Sequence, residues 1–305
     1  MHELFLSASV DSEDVSRALR ILQGYCGMIP QQLIRRRLVF EGPRSRNNLK
    51  GLDPSFLKHQ PPNKLFWWKN LNDQLIRQSY VLTLIYDVER NQFGQPAKEV
   101  GSEEDGRGLL PCDEVPGTLR WTDLPDPANA AIVNSRMFIA IENEKSLCKL
   151  LQASNHRFTR EVIQECHRTV HNNIVFTLSR YFEIPSVFQE VDDNSRPKVN
   201  SRLPPFELLE PFDAEDKWIL TASVEVQNGN DPDHMKIAMA ELSGVQEDFK
   251  GCFALKAADR HTFDTKVKGL IYEPLDLAWE GILERSRGTP LGCVPHTRAI
   301  MKTET

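Results

Sequence analysis

Two long β-type segments, Phe158 to Val170 and Asn173 to Ile184, are separated only by the polar pair His171-Asn172. Runs rich in β-branched and aromatic residues with so short a connection form an antiparallel hairpin. Each is about twice the ordinary strand length of roughly 5–6 residues. Such length suits the wall of a barrel better than a small open sheet. In the second run Ile174, Phe176, Leu178, Phe182 and Ile184 mark one face, interrupted by Arg180.

The two ends of the chain share a second pattern. His2 to Val10 alternates short and apolar side chains as a half-buried strand does. Asp11 offers a helix N-cap, with Ser12, Glu13 and Asp14 where the helix dipole favours acids. Val15, Leu19, Leu22 and Cys26 follow at helical spacing, Gly27 closes the helix, and Gln32 to Glu41 reads as another strand. Near the other end, Trp218, Leu220, Ala222, Val224 and Val226 alternate against Ile219, Thr221, Ser223 and Glu225. Asp231-Pro232 then opens a helix with proline at its first position, and Gly251 follows it. Cys252 to Leu255 and Asp259 to Val267 are expected as further strands.

Between the ends, Gly42 to Asn63 reads as a loop, and Lys64 to Trp68 and Leu75 to Val88 as strands. Trp121 to Pro127 reads as a turn, Ala131 to Glu142 as a strand and Lys145 to Ala153 as a short amphipathic helix. Two stretches, about 90–117 and 186–213, are poor in apolar residues and rich in proline and acid; flexible inserts are expected there. The expected class is α+β and β-dominated: a multistranded, antiparallel, barrel-like sheet with two main flanking helices.

Charge sharpens this picture. The whole chain carries −6, which argues against nonspecific binding to a phosphate backbone. Residues 90–117 hold six acids against three bases and 186–216 eight against three, so the remainder stands at +2. A nearly neutral core can still present basic strips to acidic proteins. No apolar run approaches the ~20 residues of a membrane-spanning helix. The opening residues have neither the basic start nor the long apolar stretch of a secretory signal. Six cysteines without a CxxC pair suit a reducing compartment, cytosol or nucleus.

Candidate chemistry is sparse. Glu142 and Glu144 sit two apart on a strand, where both carboxylates share a face and a divalent metal becomes conceivable. Only one such pair is present, and its strand is ending, so a solvated strand end is the preferred reading. Cys148, His156, Cys166, His167 and His171 cluster loosely, but strand geometry sends neighbours to opposite faces, so neither metal nor cofactor is expected. There is no nucleophile elbow, Walker loop or dinucleotide fingerprint, and no enzyme is expected. Two features suit partner binding. Arg35, Arg36 and Arg37, with Arg44 and Arg46 nearby, form the one basic cluster, expected on an exposed, salt-bridged face or against an acidic partner. Trp67 and Trp68, adjacent on an expected strand, put one ring in the core and the other at the surface, where tryptophan is a favoured anchor.

A resemblance adds to this. His2-Glu3-Leu4-Phe5-Leu6, Leu22-Gln23-Gly24-Tyr25-Cys26-Gly27-Met28 and Leu119-Arg120-Trp121-Thr122-Asp123-Leu124-Pro125-Asp126-Pro127 resemble the subunit 18 family of the Mediator complex, in its fungal form. So do the Arg157-Phe158 … Arg180-Tyr181 hairpin, Lys217-Trp218-Ile219-Leu220, Glu241-Leu242, Phe249-Lys250-Gly251-Cys252 and Asp259-Arg260 … Asp264-Thr265-Lys266-Val267. The order and spacing of these segments, over about residues 1–268, carry the resemblance; Gly269 to Thr305 has no counterpart in it.

The resemblance implies one barrel-like domain over 1–268, similar to the RNA triphosphatase barrel, with 269–305 as a tail. It implies a non-catalytic nuclear coactivator subunit, scaffolding and regulating transcription initiation by RNA polymerase II. Expected partners are Mediator subunit 20, the C-terminal helix of subunit 8, other head-module subunits and the polymerase machinery, with no sequence-specific nucleic acid contact. The fold similarity keeps one alternative open: a triphosphatase-like barrel hydrolysing RNA 5′-phosphates with a divalent metal. Trp67, Trp68, Arg35, Arg36 and Arg37 as partner residues rest on physical argument, not on the family.

Overall fold

The computed structural model describes residues 1–94, 111–127 and 132–268. Its centre is a closed antiparallel barrel of eight strands. In chain order these are β1 (His2–Val10), β2 (Gln31–Glu41), β3 (Val81–Val88), β4 (Gly117–Thr122), β5 (Asn134–Glu144), β6 (Arg157–His171), β7 (Ile174–Glu183) and β9 (Trp218–Val226). Around the barrel they run β6-β2-β3-β4-β5-β1-β9-β7, and the β6–β7 hairpin closes the ring. A two-residue strand, β8 (Glu210–Pro211), adds to the rim of β7. The long hairpin is thus the seam of the barrel, and its length reflects strands that pair on both sides along a tilted wall. Asn172, at φ 53°, makes the tight turn between its arms, a conformation asparagine tolerates better than most residues.

The apolar face of most of the wall points outward and is covered there. Leu4, Leu6, Ala8 and Val10 of β1, Phe176 and Leu178 of β7, and Leu220, Ala222 and Val224 of β9 meet α1 (Val15–Cys26) and α5 (Pro232–Asp248). The start of α5 and the stop of α1 follow the sequence, but the other two ends differ. Asp11 makes no cap hydrogen bond and leads into a 3-10 turn (Ser12–Asp14) before α1, and α5 is closed by Phe249, two residues before Gly251. The Asp231 side chain accepts from the N–H groups of Asp233 and His234, Pro232 occupies the first turn, and Gly27 closes α1 at φ 66°.

Several central expectations are corrected. Lys64 to Trp68 is helical, not a strand: it lies in α3 (Pro62–Leu75), where Trp68, Leu71 and Leu75 recur at helical spacing and face the barrel. The prolines at 61 and 62, in the first turn, are a helix-start signal that the β-rich neighbourhood masked. A short helix, α2 (Pro54–Lys58), lies within the expected loop, and β3 begins only at Val81. The turn expected at Trp121 to Pro127 begins inside a strand, β4, which ends at Thr122. Cys252 to Leu255 and Asp259 to Val267 form no strand; isolated bridges join Ser7 with Lys256, just after the first segment, and Tyr80 with Lys266, within the second. The short helix read at 145–153 is α4 (Leu147–Ala153).

Residues 186–213, expected as an insert, lie along the outside of the wall. Leu203, Phe206 and Leu209 pack on Ile34, Val88, Ile163 and Phe182, and Phe93 joins them. Phe206 is also edge-on to Phe93 and Phe182 and carries the Arg90 guanidinium 4.3 Å above its ring. The other expected insert is core at both ends, since Phe93 and Cys112 are buried; residues 95–110 lie outside the described residues, as does the expected tail at 269–305.

Candidate functional site

The wall alternates, so the residues between the outward apolar ones point into the barrel, and several of them are charged. Glu3 of β1 is held between Arg120 of β4 (2.9 Å) and Arg136 of β5 (2.7 Å). Burial pushes the Glu3 carboxyl up, but the two guanidinium groups outweigh it and leave its pKa below the usual carboxylate range. Arg136 stacks on Phe5 and Arg120 on Phe138, each 4.7 Å from the ring centre. Arg37 also faces inward, donates to Gln164 (2.9 Å), and has its pKa lowered by burial and by neighbouring Arg120 and Arg35.

The arginine cluster is therefore not one patch. Strand alternation sends Arg35 and Arg37 to the inner side, where Arg35 pairs with Asp87 at 3.1 Å. Arg36 goes to the outer side, but beneath residues 186–213. It is fully buried, bidentate on Glu161 at 2.6 and 3.0 Å, and donates to the Asn200 carbonyl at 2.6 Å. Burial opposes both charges of this pair. For Arg36 the Glu161 carboxylate prevails and its pKa rises; for Glu161 burial prevails over Arg36 and its pKa rises too. Arg36 is a structural residue, not the exposed one the sequence led us to expect.

The tryptophans divide as expected, on a different element. Trp68 is fully buried against Phe56, edge-on at 4.9 Å, which removes it from any partner surface. Trp67 is half-buried and stacks edge-on with Phe66 at 5.1 Å. Phe66 is 61% exposed, a residue the sequence reading missed because it assigned a strand here. On a helix the three consecutive aromatics fan out about 100° apart, so one faces the core and two remain at its edge. A second exposed apolar group, Val187, Val191, Leu208 and Phe212, lies on the segment that covers Arg36.

The carboxylate pair does not share a face. Asn143, between Glu142 and Glu144, has φ 57°, which turns the strand and separates its neighbours. Glu144 is taken by Lys64 of α3 at 2.9 Å, and the same ammonium donates to the carbonyls of Glu142 and Asn143. The histidines disperse: His167 lies on Trp218, His171 on Tyr25, and His156 is buried with its Nδ1 at 3.1 Å from the Ser154 carbonyl. Among the described residues no three His, Cys, Asp or Glu side chains converge as metal ligands. A cavity of 1440 Å³ opens between α4, the end of β2 and residues 192–201; Arg44, Lys50, Arg157 and Lys198 lie on its wall, with Cys112 and Cys148 among its apolar lining.

Comparison with known proteins accords with this architecture. The family model described as "Med18 protein" matches residues 2–266. A protein of Aspergillus fumigatus named "Mediator of RNA polymerase II transcription subunit 18" is 28% identical over 280 residues, covering 88% of this chain and all of the relative. A protein of Coccidioides immitis with the same name is 25% identical over 276 residues, with the same coverage. Among solved structures, one described as the Schizosaccharomyces pombe Mediator head module contains a chain matched with a TM-score of 0.57 at 15% identity, over 85% of this chain and 99% of that one.

Proposed function

This chain belongs to the Med18 family, and on that premise we propose that it is a nuclear, non-catalytic subunit of the Mediator coactivator, acting in RNA polymerase II transcription initiation through protein contacts. The observation that carries this reading is the family match across almost all of the described barrel, residues 2–266. The side-chain chemistry supports it: Arg36 with Glu161, Lys64 with Glu144, and Arg120 and Arg136 with Glu3 are paired with each other and brace the wall. Mediator subunit 20 and the C-terminal helix of subunit 8 are the partners proposed within the head module. Of the residues first considered, Trp67 keeps a surface role, joined by Phe66 on the exposed edge of α3. Aromatic side chains on a rigid helix bury large area at small entropy cost, which is why they anchor interfaces.

The test is co-expression of the full chain with the organism's own subunit 20 and subunit 8. Co-elution of the three supports the proposal. Elution of the chain alone, together with purification from nuclei that recovers no Mediator subunit, overturns it.

A further inference from the structure

Helix α4 starts after Ser146, which stands at φ 59° and supplies no side-chain cap. The cap comes from another segment: Asp113 Oδ1 accepts from the N–H groups of Cys148 (3.0 Å) and Lys149 (3.3 Å), and the Asp113 carbonyl accepts from Ser146 N–H (3.0 Å). This clamp brings Cys112 and Cys148 together on the wall of the 1440 Å³ cavity, which both residues line. Each cysteine is only 6% exposed, so the cavity is the approach for a small oxidant. The Tyr86 hydroxyl stands 4.0 Å from the Cys148 sulfur.

We propose that Cys112 and Cys148 are an oxidative modification site, a facing dithiol that a peroxide entering the cavity converts to a disulfide. In the first step the Cys112 sulfur attacks the peroxide, its O–O bond breaks, one oxygen stays on sulfur as a sulfenic acid and the other leaves as water. In the second, the Cys148 sulfur displaces that oxygen as a second water and the S–S bond forms. The two thiols lose two electrons and two protons; one hydrogen peroxide becomes two waters.

The roles follow from the surroundings. The hydrogen bond from Cys148 lowers the Cys112 pKa, burial works against it, and Arg36 helps; Glu161 and Asp113 oppose. Contact with Cys112, together with burial, raises Cys148, so the attack is assigned to Cys112 and the resolving step to Cys148. A thiol whose pKa is lowered, beside a second thiol that can resolve its sulfenic acid, is the pattern of oxidation-sensitive cysteines. The bond would tie the 111–115 turn covalently to the helix that Asp113 already caps.

The experiment treats the full chain, with Cys26, Cys252 and Cys293 replaced by alanine, with graded hydrogen peroxide, then alkylates it under denaturing conditions. The expected result is loss of two alkylatable thiols, a product two hydrogens lighter, a peptide cross-link joining Cys112 to Cys148, and a melting midpoint raised by about 5 °C. Cys112→Ala and Cys148→Ala should each abolish the cross-link, and only Cys148→Ala should accumulate the sulfenic acid, trapped by dimedone. If a variant does not fold, the parent alone decides. Both thiols still alkylated at peroxide doses that oxidise an exposed control cysteine, or a cross-link through Cys166 instead, overturns the proposal.

Discussion

Replacing Arg36 by methionine tests whether the ion pair beneath residues 186–213 holds the wall together. Both side chains are fully buried, two N–H···O contacts of 2.6 and 3.0 Å join them, and a third ties Arg36 to the Asn200 carbonyl at 2.6 Å. Removing the cation alone strands a carboxylate whose pKa burial already raises. Breaking a buried pair from one side costs about 3–5 kcal/mol. At about 2–4 °C per kcal/mol for a domain somewhat smaller than this one, the melting midpoint falls by roughly 6–20 °C. Adding Glu161→Leu removes the stranded charge, and buried pairs replaced by apolar side chains are often neutral in stability. The double variant is therefore expected to recover at least half of the loss, a coupling of about 2 kcal/mol or more. Urea unfolding followed by tryptophan fluorescence measures each variant, with the slope of the transition checked for constancy. Losses that simply add refute the reasoning, because they mean the carboxylate finds water once Arg36 is gone.

Glu3 makes a pH prediction. Its folded pKa lies below the unfolded value of 4.5, so its contribution is present above that value and fades as pH falls through the folded one. The gap in unfolding free energy between the parent and Glu3→Gln at pH 7 should therefore narrow at pH 3. Gly117→Ala places a Cβ 2.5 Å from the Tyr86 ring and should cost about 1–3 kcal/mol in urea unfolding. Trp68→Ala should cost about 3–5 kcal/mol. Phe66→Ala with Trp67→Ala should change stability far less than Trp68→Ala while weakening co-elution with subunit 20 and subunit 8 at least tenfold. Glu142→Ala with Glu144→Ala should leave phosphate release from RNA 5′-ends at the background of the parent chain, as measured with added magnesium or manganese.

The barrel's ends and seam were legible in the sequence because each rests on a local rule. Alternation in Trp218–Val226, the Asp231-Pro232 start and the Gly27 stop depend only on nearby residues. Arg36 was not legible. Strand alternation separates it from Arg35 and Arg37, which the sequence reading groups on one exposed face, and only the return of a segment more than 150 residues later buries it. Lys64 to Trp68 failed for a related reason: aromatic residues have β-propensity, and their packing on β5 and the Phe56 ring overrides it. The paired glutamates were separated by one backbone angle, at Asn143, that composition does not reveal.

The charged interior also reframes the modest 40% apolar content. In a barrel with an apolar centre, few outer residues need cover. Here Glu3, Arg120, Arg136 and Arg37 occupy the inside, so much of the apolar surface of the wall points outward and is stable only where something lies over it. α1 and α5 cover one side, α3 and α4 a second, and residues 186–213 a third. These covering elements carry Phe66, Ile237, Val187, Val191 and Phe212 on their own outer faces. On the proposed reading, a partner extends the same logic by one layer: it covers the elements that cover the wall. Apolar anchors on α3 then matter more for assembly than the internal arginines, whose loss should unfold the chain before it affects any partner.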